Sequence, residues 1–163
     1  MSFDEIFLCR VVECLKEAKI DHVVIGATAA ILHGVPIMTQ DVDIFVRDTD
    51  LTRKKIKKFA GLMGGLVLAA PAEPMSKMIR AIGAEIPVDF VFNLSSRRSF
   101  ESVRSRATSV VVGRTAIRIA SLEDIIESKQ AAAREKDRAV LGMLKDTLRV
   151  QLALGRNAKN NRK

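Results

Sequence analysis

The run Asp41-Val42-Asp43-Ile44 constrains this chain more than any other stretch. Polar and apolar residues alternate from Asp41 to Val46, which predicts a half-buried strand, although Phe45 breaks the pattern. Residues two apart on a strand face the same side. Asp41 and Asp43 therefore emerge together while Val42, Ile44 and Val46 enter the core. Two neighbouring like charges are costly unless a cation or a basic partner neutralises them. Hard oxygen donors on a rigid strand suit Mg²⁺. A Ca²⁺ loop of the EF-hand type is excluded, because it needs oxygen ligands and a glycine where this chain has Phe45 and Val46.

A second strand repeats the theme. In Pro87-Val88-Asp89-Phe90-Val91-Phe92, the side chains of Val88, Phe90 and Phe92 share an apolar face and Asp89 points the other way. A lone carboxylate among five apolar residues needs a metal or a counter-charge such as a core arginine. If this strand neighbours the first, Asp89 joins Asp41 and Asp43 at one place. Ahead of both, Val23-Val24-Ile25-Gly26 runs into a predicted helix over Ala27–Leu32. A strand, tight turn and helix in that order aim backbone N–H groups at an anion, but also describe an ordinary βα corner.

The remaining periodicities fill in the frame. Phe3 to Lys19 repeats apolar residues at helical spacing, and Asp50 caps a basic helix running to Lys58. Leu66–Leu68, Met78–Ile82, Val110–Gly113 and Thr115–Ile119 read as strands, the last two as a hairpin with Gly113-Arg114 at its turn. Ser121-Leu122-Glu123-Asp124 starts a helix reaching about Ala133, and another follows from Lys136 to Leu154. Helices and strands interleave without strict βαβ rhythm. The predicted class is therefore α+β, a mixed sheet with flanking helices and a C-terminal helical segment. No repeat or linker divides it, so residues 1–154 read as one domain, followed by a basic tail, 155–163, expected to be mobile.

Charge sharpens this picture. The net +8 hides an uneven distribution: residues 1–50 carry −5, residues 51–100 carry +6 and residues 101–163 carry +7. An acidic first third thus faces a basic remainder, which suits a polyanionic partner. Arg53-Lys54-Lys55, Lys57-Lys58, Arg97-Arg98, Arg104 and Arg106 could meet the phosphates of tRNA or another polyanion, although a solvated helix face is the usual explanation of such runs. With neither Trp nor Tyr in the chain, stacking platforms for single strands are scarce. Cys9 and Cys14 lie five apart on the first helix and project from different faces, which argues against a disulfide. No basic-then-apolar leader and no apolar run long enough to span a bilayer is visible. The expectation is a cytoplasmic protein.

Taken together, Gly26-x-x-Ala29-x-x-x-His33-Gly34, Thr39-x-Asp41-x-Asp43 and Val88-Asp89 resemble the nucleotidyltransferase superfamily related to DNA polymerase β. The small bacterial branch with abortive-infection toxin nucleotidyltransferases is most similar. Ser121 to Lys129 and Ala133-Arg134-Glu135-Lys136-Asp137 resemble that branch's C-terminal signature. The resemblance implies that Asp41, Asp43 and Asp89 hold two Mg²⁺ ions, with Mn²⁺ as a substitute, and are the catalytic carboxylates. It implies that Gly26, Ala27, Thr28, Thr39 and Lys129 bind a nucleoside triphosphate. A nucleoside monophosphate would pass to an acceptor hydroxyl on an RNA such as tRNA or on a protein, and a cognate antitoxin or helical partner would fit a toxin-type enzyme. Two departures stand out: Ala27 replaces the usual second Gly or Ser of the phosphate turn, and Val35, Ile37 and Met38 stand where relatives carry arginine. Both favour the alternative of a binding module that keeps the fold without the chemistry.

Overall fold

In the computed structural model, which describes residues 2–70 and 77–160, helix α1 (Phe3–Glu17) opens on a capping box. The Ser2 hydroxyl accepts from the Glu5 N–H at 3.3 Å, and Glu5 accepts from the Ser2 N–H at 2.6 Å. Two of the helix's orphan donors are satisfied in this way. Cys9 and Cys14, both on this helix, are free thiols.

Six further elements follow before the second carboxylate strand: β1 (Val23–Ile25), α2 (Gly26–Leu32), β2 (Val42–Phe45), α3 (Asp50–Leu62), β3 (Val67–Ala69) and β4 (Met78–Ile82). Next come β5 (Val88–Val91), α4 (Phe100–Arg106), β6 (Thr108–Val112), β7 (Thr115–Ile119), α5 (Leu122–Ala132) and α6 (Glu135–Asn160). The strands form one mixed sheet in the order β3-β4-β5-β2-β1-β7-β6. The β2–β5 and β1–β7 pairs are parallel and the other four are antiparallel. The predicted α+β architecture is the observed one.

The central strands are covered on both faces. On one side, Phe59 of α3 meets Phe90 of β5 edge to face, with ring centroids 5.1 Å apart. On the other, Phe45 meets Phe100 of α4 at 5.5 Å. That second contact explains why Phe45 breaks the alternation expected of β2. The strand's outer half is buried by α4, a helix that the sequence does not announce. Its seven residues offer only Phe100 and Val103 to the core, too few to establish a period.

Some boundaries differ from expectation. Helix α3 continues past Lys58 to Leu62, because Phe59 and Ala60 are its buried face. Helix α6 runs on through Leu154 to Asn160. Gly155 weakens a helix by about 1 kcal/mol, yet the residues after it include the good formers Arg156, Ala158 and Lys159. The last three residues of the predicted tail lie outside the described residues.

Six of the nine side chains in the basic runs have partners within the chain. Lys55 and Lys58 donate to the Lys19 and Glu17 carbonyls at the end of α1, where cations suit orphan acceptors. Arg53 pairs with Asp48, Arg98 with Glu127, Arg104 with Asp21 and Arg106 with Asp124. These partners account for those side chains without a nucleic acid.

Because Phe59 is fully buried against another ring, Phe59→Ala should lower stability by about 3–5 kcal/mol. Urea unfolding followed by far-UV circular dichroism checks it, since the chain has no Trp or Tyr. A loss under about 1 kcal/mol would show that α3 does not seal this face.

Candidate active site

The carboxylates come together through strand register. Asp43 of β2 stands directly opposite Asp89 of β5, and Asp89 stands directly opposite Arg80 of β4. Cross-strand partners share a face, so one row of the sheet reads Arg80, Asp89, Asp43. Asp41 lies one residue ahead of β2, at a bend, rather than within the strand as the alternation predicted. Two threonines hold it there. The Thr28 hydroxyl donates to the Asp41 carbonyl at 3.2 Å. The Thr39 hydroxyl lies 2.9 Å from that carbonyl and 3.2 Å from Asp41 Oδ1.

Each acid has a different environment. Asp89 is only 2% exposed and is gripped by Arg80, whose Nε and Nη2 donate at 2.8 and 2.6 Å. Of the two partners open to Asp89 from sequence, this structure shows the arginine. Arg80 Nη2 also lies 3.7 Å from Asp41. Asp43 is half-buried, and no described residue donates a hydrogen bond or ion pair to its carboxylate. Burial pushes its carboxyl up to about 7, and the negative charges of Asp41 and Asp89 push the same way.

Gly26 makes room for this group. It carries the positive φ of the turn, +64°, while Ala27 sits inside α2 and is not among the positive-φ residues, so alanine is tolerated there. A methyl added at Gly26 would overlap Asp43 Oδ2. The turn therefore needs glycine for two reasons, conformation and close approach.

These residues line a cavity of about 750 Å³, within the range of small-molecule sites. Gly26, Ala27, Thr39, Asp41, Asp43, Arg80, Asp89 and Lys129 all border it. Thr28 does not, and its hydroxyl serves Asp41 instead. The donor set is all oxygen, which fits Mg²⁺ or Mn²⁺, and Asp43 is a carboxylate without a partner. With Arg80 lying between Asp41 and Asp89, no three acids among the described residues are grouped closely enough to hold a metal.

Over residues 5–161 the chain matches the model of a family described as nucleotidyl transferase of unknown function, DUF2204. It belongs to that family. Among solved structures, ANT(2")-Ia in complex with adenylyl-2"-tobramycin is similar with a TM-score of 0.65 at 13% identity, covering 99% of each chain. The lincomycin-bound lincosamide adenylyltransferase LnuA gives 0.62 at 13% identity over 90% of this chain and 98% of that one. TM1012 from Thermotoga maritima gives 0.55 at 18% identity, covering 100% and 97%. At these identities the likeness shows a shared fold. No curated protein sequence matches the chain.

The transferase's second charged cluster was only partly legible. Lys129 is not a free surface lysine: its ammonium donates to Asp137 Oδ1 at 2.9 Å, and Asp137 is fully buried. Arg134 donates to the same carboxylate at 2.5 Å. Burial raises the Asp137 carboxyl, but the hydrogen bonds and charges of Arg134 and Lys129 outweigh it and hold it below the usual range. One acid thus fixes two cations at the rim of the cavity. The junction between α5 and α6 that allows this turns on Ala133 at φ +53°, where no glycine gives a signal. His33 is structural, its Nε2 lying 2.8 Å from the Ala120 carbonyl.

Two predictions follow from the packing of these acids. Gly26→Ala should cost about 1–3 kcal/mol, and the loss should shrink in an Asp43→Ala background, where the obstructing carboxylate is gone. Chemical denaturation of the four proteins gives the coupling; additive losses would show that the two residues do not touch. Asp137→Asn should destabilise the transferase by about 3 kcal/mol or more near neutral pH. A carboxyl with a lowered folded pKa contributes stability above its unfolded pKa and loses it as pH falls through the folded value. The gap between wild type and variant should therefore narrow on acidification below about pH 4, read from unfolding curves at several pH values. A constant gap would assign the loss to packing.

Proposed function

We propose that this protein is a divalent-metal-dependent transferase that moves a nucleoside monophosphate from a nucleoside triphosphate to an acceptor hydroxyl. The observation that carries the reading is the partnerless Asp43 carboxylate, flanked by Asp41 and Asp89 and pressed against the Gly26 turn inside a 750 Å³ cavity. Such an arrangement of like charges is a poor way to build a core and a good way to attract cations.

Asp41, Asp43 and Asp89 are the residues that would hold Mg²⁺ or Mn²⁺, two ions being expected from the family resemblance. When bound, the metal neutralises charge on the reacting phosphate and lowers the barrier to displacement. The chain's own residues do the rest. No side chain caps α2, and Gly26 and Ala27 at its start border the cavity, so their N–H groups would take phosphate oxygens. Lys129 and Arg134, held by Asp137, add positive charge at the rim, and Lys136 beside them has no ion-pair partner among the described residues. By the family resemblance, Asp89, once released by Arg80, would draw the proton from the acceptor hydroxyl. As the acceptor oxygen bonds to the α-phosphorus, the bond from that phosphorus to the bridging oxygen breaks and pyrophosphate leaves. The adenylyl-transferring neighbours support the choice of reaction.

Incubation with each of four α-labelled nucleoside triphosphates, Mg²⁺ or Mn²⁺, and a cell lysate tests the reading. Wild type should label one component, and Asp41→Ala/Asp43→Ala should lose on the order of a hundredfold or more of that transfer. Transfer to nothing with any nucleotide, or equal transfer by the variant, would refute it.

Arg80 gives weight to a second reading, a nucleotide-binding module without catalysis, because it already neutralises Asp89. Calorimetry showing nucleotide binding that is indifferent to metal and to Asp89→Asn would favour that one.

A further inference from the structure

Arg80 lies in none of the segments that carry the family resemblance, yet it is the residue most intimately joined to the acidic row. Three observations define it. Its guanidinium grips Asp89 in a two-pronged bond of 2.8 and 2.6 Å and reaches to 3.7 Å from Asp41. It is itself more than a third exposed and borders the cavity, whose lining also includes Met78, Met38 and Thr39. Its backbone is pinned opposite Asp89 by the β4–β5 ladder.

From these we infer that Arg80 is a movable cation of the site. It neutralises Asp89 and Asp41 when no metal is bound, yields them to the metal, and then binds the phosphates of the nucleotide. The inference rests on the metal-dependent reading above.

The physical reasoning is competitive. Asp89 is buried deeply enough that its charge must be compensated at all times, and a guanidinium or a divalent ion can each do so. Both cannot lie against the same pair of oxygens, since a carboxylate in a two-pronged arginine pair has its best lone-pair directions filled. Arg80 therefore has to be displaced before three carboxylates can close on one ion, which matches their failure to converge while it is in place. The ladder prevents the residue from going far. Only the side chain can swing, and the open side it swings toward is the cavity where a triphosphate would lie. Val35, Ile37 and Met38 leave the 33–40 segment without a cation on that side. Arg80, arriving from a different strand, supplies one, and a guanidinium fork suits phosphate oxygens.

The test uses the full chain without nucleotide, titrated with Mn²⁺ and read by electron paramagnetic resonance. Arg80→Gln should bind Mn²⁺ about tenfold or more tightly than wild type, and Arg80→Lys, which keeps charge but loses the fork, should fall between. At saturating Mg²⁺, inorganic tripolyphosphate should bind Arg80→Gln about tenfold more weakly. Tripolyphosphate probes the phosphate role without assuming a base. Should Arg80→Gln fail to fold, wild type still decides: the Arg80 Nε–H signal in a nitrogen-edited spectrum, assigned against Arg80→Lys, must move when Mg²⁺ saturates. Equal Mn²⁺ affinity in wild type and Arg80→Gln, or an Arg80 signal indifferent to metal, overturns the competition while leaving the transferase reading standing. Unchanged tripolyphosphate binding overturns the hand-over to phosphate. Absence of metal binding by wild type and variants alike removes both this inference and the metal-dependent reading.

Discussion

Burial of Asp89 is the constraint on which the site depends. A carboxylate at 2% exposure in a central strand has no water to solvate it, so the neighbouring strands must bring it compensation. β4 brings Arg80 and β2 brings Asp43, one relieving the charge and the other adding to it. The result is a row of side chains whose net charge is negative and whose one cation, Arg80, sits at its end. Around it, Val42, Ile44, Val88 and Phe90 of the same strands point the other way, toward Phe59 and α3, while Phe45 on the acidic face packs on Phe100 of α4.

The opposite rim is built on the same principle in mirror image. There a single buried acid, Asp137, collects two cations, Lys129 and Arg134, whereas at the sheet a single cation serves two acids. The cavity thus lies between a negative floor and a positive rim, each held by partners of the other sign. This polarity is set by ion pairs whose buried members cannot relax into solvent. Of the nine acids in residues 1–50, only Asp41 and Asp43 border the cavity, so the uneven charge along the sequence marks this polarity only in part.

What the sequence disclosed, it disclosed through local periodicity. β2 and β5 were legible because a carboxylate interrupts an otherwise apolar strand, and α1 because its apolar spacing repeats over four turns. That Asp43 and Asp89 stand side by side could be read only on the condition that their strands neighbour, since nothing local pairs residues so far apart in the chain. α4 escaped notice for lack of length, and with it the reason for Phe45. The partner of Lys129 was hidden because Asp137 reaches it across a helix break made by an alanine in a left-handed conformation. Arg80 was hidden differently: its strand was foreseen, but its register across from Asp89 was not.

That register is counted out by the turn between Ile82 and Val88, none of whose residues borders the cavity. Side chains alternate faces along a strand, so a slip of one residue would turn Arg80 to the far side and set Ile79 or Ala81 against Asp89. The length of that turn is therefore as much a part of the charge arrangement as the arginine itself. In this fold, an insertion too small to alter any side chain of the site could still erase its counterion.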